Sequence, residues 1–248
     1  DNWNRSMTLI SEQSLYCKVV HADDWLFPNC LSEMVSLAED NPSVAIVGSY
    51  RLEEESVSLD GLKYPSTCVS GRDMLRRRFL GGADLFGSPT SIMYRSDEVR
   101  AREQFYNPSN LHADTEICYE ILREKDFGFV HQVLTFTRRH NETTSTYARR
   151  MQTYMPSDLK MLKTYGPLVL DKREFRTAFN RRLRNYYRMM GHRLLRFRRA
   201  DNRAFWGEFW AYHAAALKEV GESFSRWRVA RGSLHALYRA FLSKIHYE

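Results

Sequence analysis

Short apolar runs alternate with amphipathic segments over the first 146 residues of the chain. Four runs have the length and the β-branched or aromatic content of buried strands, and we predict strands at 15–22, 44–50, 90–95 and 128–137. Between these runs, apolar positions at helical spacing predict helices at 28–42, 70–82 and 113–126. Strands separated by helices are typical of an α/β domain.

From residue 147 the pattern becomes mainly helical. Apolar side chains recur at steps of three and four along one long predicted helix, at Phe175, Phe179, Leu183, Tyr186, Met190, Leu194 and Phe197. Helical spacing continues through 204–220 and 234–245. We therefore predict two domains, an α/β domain at 1–146 and a basic helical region at 147–248.

The positive charge of the chain is concentrated in the helical region. The net charge is +7, but fifteen Lys/Arg and three acids between residues 149 and 199 give that segment +12 and leave −5 for the rest. Three interpretations stay open: the arginines are solvated on a packed helix, the helix lies on an anionic membrane surface, or it binds nucleic acid. Nucleic acid is the least favoured, because the segment contains no recognisable binding module.

Several classes of protein are excluded by what the sequence lacks. No run of 18 apolar residues occurs, so we expect no transmembrane helix within this chain. The four cysteines, Cys17, Cys30, Cys68 and Cys118, have no zinc-ligand spacing and are interpreted as reduced thiols of a cytosolic protein. Walker A, GxGxxG, GxSxG and HExxH motifs are also missing.

The first candidate for chemistry is the acidic pair Asp23 and Asp24, which ends the apolar run KVVHA. Such a pair can cap the helix predicted to begin near Pro28, or lie in a surface turn. It can equally hold a hard divalent cation, since Mg²⁺ and Mn²⁺ favour carboxylate oxygens together with substrate phosphates. The residues alone leave these alternatives open.

Three further polar groups stand at predicted element ends. His112 and Asp114 begin a predicted helix. An acid at this position is either stabilised by the helix dipole or able to act as a general base. The run of Arg138, Arg139 and His140 follows the last strand and is either solvated or able to clasp a phosphate. Glycines 81, 82 and 87 make the loop before the third strand flexible. Because glycines are common in loops, they are weak evidence for a functional site by themselves.

The order and spacing of these groups resemble the family 2 glycosyltransferases with the GT-A fold. The similarity covers about residues 2–146 and is carried by NWNRSM, YCKVVHADDWLFPNC, FGSPTSIMYR and HADTEICYEILREKDFGFVHQVLTFTRRHNETTS. In that family a strand ends in a DxD-type motif, commonly followed by an aromatic residue and a proline, as in Asp23-Asp24-Trp25 with Pro28. His21 departs from the family pattern, because an acid often stands at that position.

The resemblance implies a role for each candidate residue. Asp114 takes the position of the catalytic base, and Asp23 and Asp24 that of the metal ligands for Mg²⁺ or Mn²⁺. His140 would contact the metal and the diphosphate. The remaining assignments are to the nucleotide-sugar donor (Asn4, Arg5, Arg138 and Arg139) and to the acceptor (Trp25, Gly87, Ser88 and His112).

By the same resemblance, the fold is a Rossmann-like mixed sheet with flanking helices, followed by the helical region. The implied activity is that of an inverting glycosyltransferase that moves a sugar from a nucleoside diphosphate to a hydroxyl of a cell-surface glycan or lipid-linked sugar. The implied site of action is cytoplasmic, with peripheral contact at the inner face of the cytoplasmic membrane. Family members begin with a nucleotide-binding βαβ half, so we expect this sequence to be an N-terminally truncated piece. The alternative is a non-catalytic GT-A-like or basic membrane- or nucleic-acid-associated module.

Overall fold

The computed structural model describes residues 2–138, 144–195 and 203–245. Two compact units can be distinguished: a sheet unit, Asp1–Thr146 with Tyr165–Leu170, and a helical unit, Tyr147–Thr164 with Asp171–Glu248. That the two parts are separate domains at 1–146 and 147–248 stays a prediction.

A mixed sheet forms the centre of the sheet unit. Its strands are β1 Tyr16–Cys17, β2 Trp25–Leu26, β3 Val44–Glu53, β4 Ser56–Ser58, β5 Cys68–Val69, β6 Ile92–Arg95 and β7 Asp126–Thr137. The order is β1-β6-β3-β7-β2, with β4 paired to β3 and β5 paired to β7. The central pair β3 and β7 is parallel, whereas the other pairs are antiparallel. The flanking helices are α1 Asn2–Thr8, α2 Cys30–Asp40, α3 Gly71–Leu80, α4 Ser96–Arg100 and α5 Ala113–Leu122.

Strand β7 explains how the helices cover the sheet. Val130 belongs to one apolar cluster with Met34 of α2, and Gly128 lies so close to this helix that a Cβ there would stand 2.3 Å from Leu37 Cδ2. Phe127 contacts Phe86 edge to face, and Phe86 contacts Tyr119 of α5 in the same way. Because side chains alternate along a strand, β7 can pack against α2 with one face and contribute to the aromatic contacts with Phe86 and α5 with the other.

The first predicted strand is much shorter than expected. Of the segment 15–22 only β1 is a strand, because Lys18 interrupts the apolar run. Its ammonium group donates to the carbonyl oxygens of Thr90 (2.8 Å) and Ile92 (3.1 Å), and burial lowers the pKa of Lys18 to about 8. The Asp pair therefore precedes the short strand β2 instead of ending a long strand.

Five helices make up most of the helical unit within the described residues: α6 Thr144–Met151, α7 Tyr154–Tyr165, α8 Lys172–Leu195, α9 Arg203–Glu219 and α10 Arg226–Ile245. Of the predicted stripe on the long helix, Leu183, Tyr186 and Met190 are buried among the aromatic residues of α9. Leu194 is 41% exposed, and Phe197 lies outside the described residues.

Two further sequence expectations concern the whole chain. All four cysteines are free thiols, two of them buried and Cys68 exposed. Within the ranges that the structure describes, no helix combines the length and the apolar character needed to span a bilayer.

Candidate functional site

The Asp pair lies in a tight turn that leads into β2. The Asp24 N–H donates to the carbonyl oxygen of His21 at 3.1 Å, which closes the turn. Strand β2 then pairs antiparallel with the end of β7, with Trp25 opposite Phe136. This pairing brings the turn to the carboxyl end of β7, where sheets of this kind commonly bind ligands.

The carboxylate of Asp24 is buried and holds this corner together. Its Oδ1 accepts the backbone N–H of Arg138 at 3.1 Å, and its Oδ2 lies 3.5 Å from the hydroxyl of Thr137 and 3.3 Å from Nδ1 of His21. The N-cap position of α2 belongs to Asn29, so Asp24 is not the cap of that helix. Of the alternatives left open by the sequence, the helix cap is wrong.

His21, Asp23 and Asp24 together can hold a metal ion. One ligand atom from each lies within 4.8 Å of the others, and Asp23 is exposed. Nε2 of His21 is buried and has no hydrogen-bond partner among the described residues. The His21 nitrogen that lies beside a carboxylate is Nδ1, 3.3 Å from Asp24 Oδ2, and imidazole and carboxylate are both ordinary ligands for a divalent cation.

The loop before β6 borders this metal corner. The backbone N–H of His21 donates to the hydroxyl of Thr90 at 3.2 Å, and the hydroxyls of Ser88 and Thr137 are 3.5 Å apart. Gly87 has φ +65°, and a Cβ there would lie 2.9 Å from both Leu59 and Ser91. Glycine is thus required at this position. The hydroxyl of Thr137 lies between Ser88 and Asp24, 3.5 Å from each side chain.

Asp114 lies in the first turn of α5 and is partly buried. Burial raises the pKa of its carboxyl group, a hydrogen bond from the Thr115 N–H (2.8 Å) opposes this, and the charge of Asp84 raises the pKa further. The imidazole of His21, in contrast, lowers the pKa of the Asp114 carboxyl group. Asp84 and His21 are therefore near enough to influence Asp114 electrostatically, which links it to the metal corner.

Helix α1 carries two residues predicted to bind the nucleotide-sugar donor, and their neighbour Trp3 connects the helix to the metal corner. The ring of Trp3 contacts His21 edge to face at 5.1 Å and Tyr106 at 5.5 Å. The side-chain amide of Asn4 bonds to the backbone of Tyr106, since it donates to the carbonyl oxygen of Tyr106 and accepts its N–H, both at 2.7 Å. Arg5 is exposed. In this structure Asn4 thus fixes the loop around Tyr106.

The remaining predicted residues are placed as follows. Trp25 is 50% exposed and stacks on Phe136 with the ring centroids 3.9 Å apart. His112 is buried at the N-terminus of α5. Arg138 directly follows β7, as expected of a residue at a strand end. Arg139 and His140 lie outside the described residues, so their predicted contacts with the metal and the diphosphate are not placed.

Three residues of this corner, His21, Asp84 and Thr137, are given no role by the sequence, and Thr90 is matched only through the segment FGSPTSIMYR. His21 carries a signal, because it stands two residues before Asp23, but the sequence marks it only as a departure from the family pattern. Thr90 and Thr137 are ordinary hydroxyl residues beside strands, and Asp84 lies in a glycine-rich loop. Their proximity depends on long-range pairing, which spacing along the chain does not reveal.

No protein-family model matches the sequence, and no curated protein sequence matches it. Among solved structures, the fold is similar to that of residues 1–349 of TarS from S. aureus, crystallised in complex with UDP-GlcNAc. The TM-score is 0.57 at 11% identity, over 88% of this chain and 59% of the TarS chain. The chain thus spans less than two thirds of that structure. The predicted fold class, a GT-A-type mixed sheet with flanking helices and a helical C-terminal region, is confirmed.

Proposed function

We propose that this protein is an inverting glycosyltransferase that transfers a sugar from a nucleoside diphosphate sugar to an acceptor hydroxyl. The observation that carries the proposal is the meeting of His21, Asp23 and Asp24 with the end of β7, within electrostatic reach of Asp114. The similarity in fold to TarS, which was crystallised with UDP-GlcNAc, supports the same class of donor. The proposed acceptor is a cell-surface glycan or a lipid-linked sugar.

Inverting transfer is a single displacement at the anomeric carbon. The acceptor oxygen forms a bond to this carbon while the bond to the diphosphate oxygen breaks, and the nucleoside diphosphate leaves. In the proposal the acceptor proton passes to the carboxylate of Asp114. Burial raises the pKa of that group, which makes it a stronger base than an exposed aspartate.

His21, Asp23 and Asp24 are the residues that would hold a divalent cation. When bound, Mg²⁺ or Mn²⁺ would offset the negative charge of the diphosphate. Asp24 has a second task, because its carboxylate fixes the backbone of Arg138 and the side chain of His21. We therefore assign Asp23, which is exposed, as the ligand that faces the donor, and Asp24 as the residue that positions the corner.

Asp114→Asn in the intact protein tests the proposal. Nucleotide-sugar turnover should fall by about 10²- to 10⁴-fold, because the amide cannot accept the proton. Binding of the nucleoside diphosphate, measured by calorimetry with Mg²⁺ or Mn²⁺, should be unchanged.

Asp73→Asn is the matched control, since Asp73 also lies in the first turn of a helix, α3, but is exposed. It should keep full activity. Equal turnover in the Asp114 variant and this control would reject the assignment of the base. Full activity in EDTA would reject the metal assignment.

A further inference from the structure

The helices α8 and α10 cross at two glycines and approach each other very closely. A Cβ on Gly191 would lie 2.2 Å from the backbone N of Ser233, and a Cβ on Gly232 would lie 2.3 Å from the carbonyl oxygen of Tyr187. The Ser233 hydroxyl donates to the carbonyl oxygen of Gly191 at 3.1 Å. This contact between backbones fixes the side chains on either side of the crossing.

Beside the crossing lies a cleft of about 270 Å³ that is lined by four arginines and no carboxylate, which we call the arginine cleft: Arg184, Arg188, Arg228 and Arg231. Arg228 pairs with Glu222 at 3.5 Å and lies over the ring of Tyr187. Within the described part of the chain, the other three guanidinium groups, those of Arg184, Arg188 and Arg231, have neither a hydrogen-bond acceptor nor an ion-pair partner. Like charges held together in this way repel each other, so the cleft favours a bound anion.

The outer face of α10 next to the cleft is apolar although it is exposed. Trp227 is 71% exposed, Leu234 62% and Tyr238 61%, and their spacing of seven and four residues places them on one side of the helix. Leu237, 53% exposed, lies beside them, and Arg231 lies between Trp227 and Leu234 on the same side. The helix has no acidic residue along its whole length.

We propose that this face of α10 lies on an anionic membrane surface and that the arginine cleft takes the phosphate of a lipid headgroup. Guanidinium groups bind phosphate with paired N–H donors. Tryptophan and tyrosine favour the boundary between headgroups and acyl chains, and leucines beside them bury apolar surface there. RNA would also be attracted by arginines and aromatic rings, but the two exposed leucines favour lipid.

A flotation assay with vesicles tests this proposal on the intact protein. At low salt the protein should bind vesicles of phosphatidylcholine that contain phosphatidylglycerol, and it should not bind pure phosphatidylcholine. Arg184→Gln with Arg231→Gln should weaken this binding roughly 25-fold, because each cationic side chain near an anionic surface contributes about a fivefold factor. Both arginines are exposed, so the fold should persist.

The matched control is Arg173→Gln with Arg176→Gln, which removes the same charge from two exposed arginines of α8 outside the cleft. It should reduce binding much less. Trp227→Ser should abolish the binding that survives high salt, whereas Tyr154→Ser, an exposed aromatic residue of α7, should not.

Four results would overturn the proposal. These are equal binding to neutral and anionic vesicles, equal loss in the cleft and control variants, binding of RNA on filters without binding of vesicles, and binding of inorganic pyrophosphate without binding of vesicles. The last result would make the cleft a site for soluble phosphate compounds. None of these readouts depends on glycosyl transfer.

Discussion

At the scale of single residues, the neighbouring aspartates of the metal corner differ in what they do for the fold. Asp24 is buried and accepts the Arg138 N–H, whereas Asp23 is exposed. The two residues are adjacent in sequence and identical in chemistry, yet only Asp24 is buried. Substitution can therefore separate metal binding from stability.

We expect Asp24→Ala to lower the free energy of unfolding by about 1–3 kcal/mol in EDTA, because it leaves the Arg138 N–H and His21 without their acceptor. Asp23→Ala should change it by less than about 0.5 kcal/mol, as is usual at an exposed position. In urea unfolding with Mn²⁺, both variants should lose the stabilisation that bound metal gives. Equal stability of the two variants in EDTA would contradict the division of roles.

The raised pKa of Asp114 predicts a pH profile for turnover. The base works only as the carboxylate, so activity should fall as pH drops through the pKa of this group. Since burial raises that pKa, the acid limb should lie above the ordinary aspartate value of about 3.9. The measurement is kcat/KM for the nucleotide sugar against pH, because this ratio reports the pKa of the free enzyme. An acid limb at or below the ordinary value would show that Asp114 is not the group that titrates.

At the scale of elements, the glycine crossing of α8 and α10 sets the separation of the two helices. Gly191→Ala and Gly232→Ala should each destabilise the helical unit by about 1–3 kcal/mol, because each Cβ would overlap backbone atoms of the facing helix. Circular dichroism during urea unfolding measures the change.

Gly207→Ala is the control for this pair. It lies in α9 with no atom within 4 Å of an added Cβ, so alanine should stabilise the protein by about 0.5–1 kcal/mol. A similar loss of unfolding free energy in all three variants would show that the close contact between α8 and α10 is not the reason for glycine at 191 and 232.

Elements with strong periodicity were predictable from the sequence, and the others were not. Helices α2, α3 and α5 and strands β3, β6 and β7 lie within the predicted segments or extend them by a few residues, because burial selects their apolar positions. The strand predicted at 15–22 is only two residues long, because the sequence does not show that Lys18 bonds to carbonyl groups of another segment. The Asp pair was recognised, but its neighbour Thr137 is 113 residues away along the chain from Asp24.

At the scale of the whole molecule, acid should destabilise the helical unit through one buried histidine. His213 of the helical unit is fully buried and shares a hydrogen bond of 2.6 Å with the hydroxyl of Tyr186, and burial lowers the pKa of His213 to about 4. Its pKa in the unfolded chain is about 6.5, so between these values the unfolded state binds the extra proton. The helical unit should be fully stabilised above pH 6.5 and lose stability as pH falls toward 4.

The size of this effect follows from the difference between the two pKa values. It amounts to about 3 kcal/mol between pH 7 and pH 4. His213→Phe should lower stability at pH 7, because it leaves the Tyr186 hydroxyl without its partner, but should flatten the pH dependence in this window. An unchanged pH dependence in urea unfolding would assign the effect to other groups.

The pairing of Asp24 with the end of β7 also bears on the order in which contacts form during folding. The contact between Asp24 and Arg138 spans 114 residues, whereas the contact between Gly191 and Ser233 spans 42. Contacts between residues far apart in sequence form more slowly, because the intervening chain must close first. The metal corner therefore arises only when the sheet has closed around β3 and β7, so a chain that carries its helices but not its finished sheet has no metal corner.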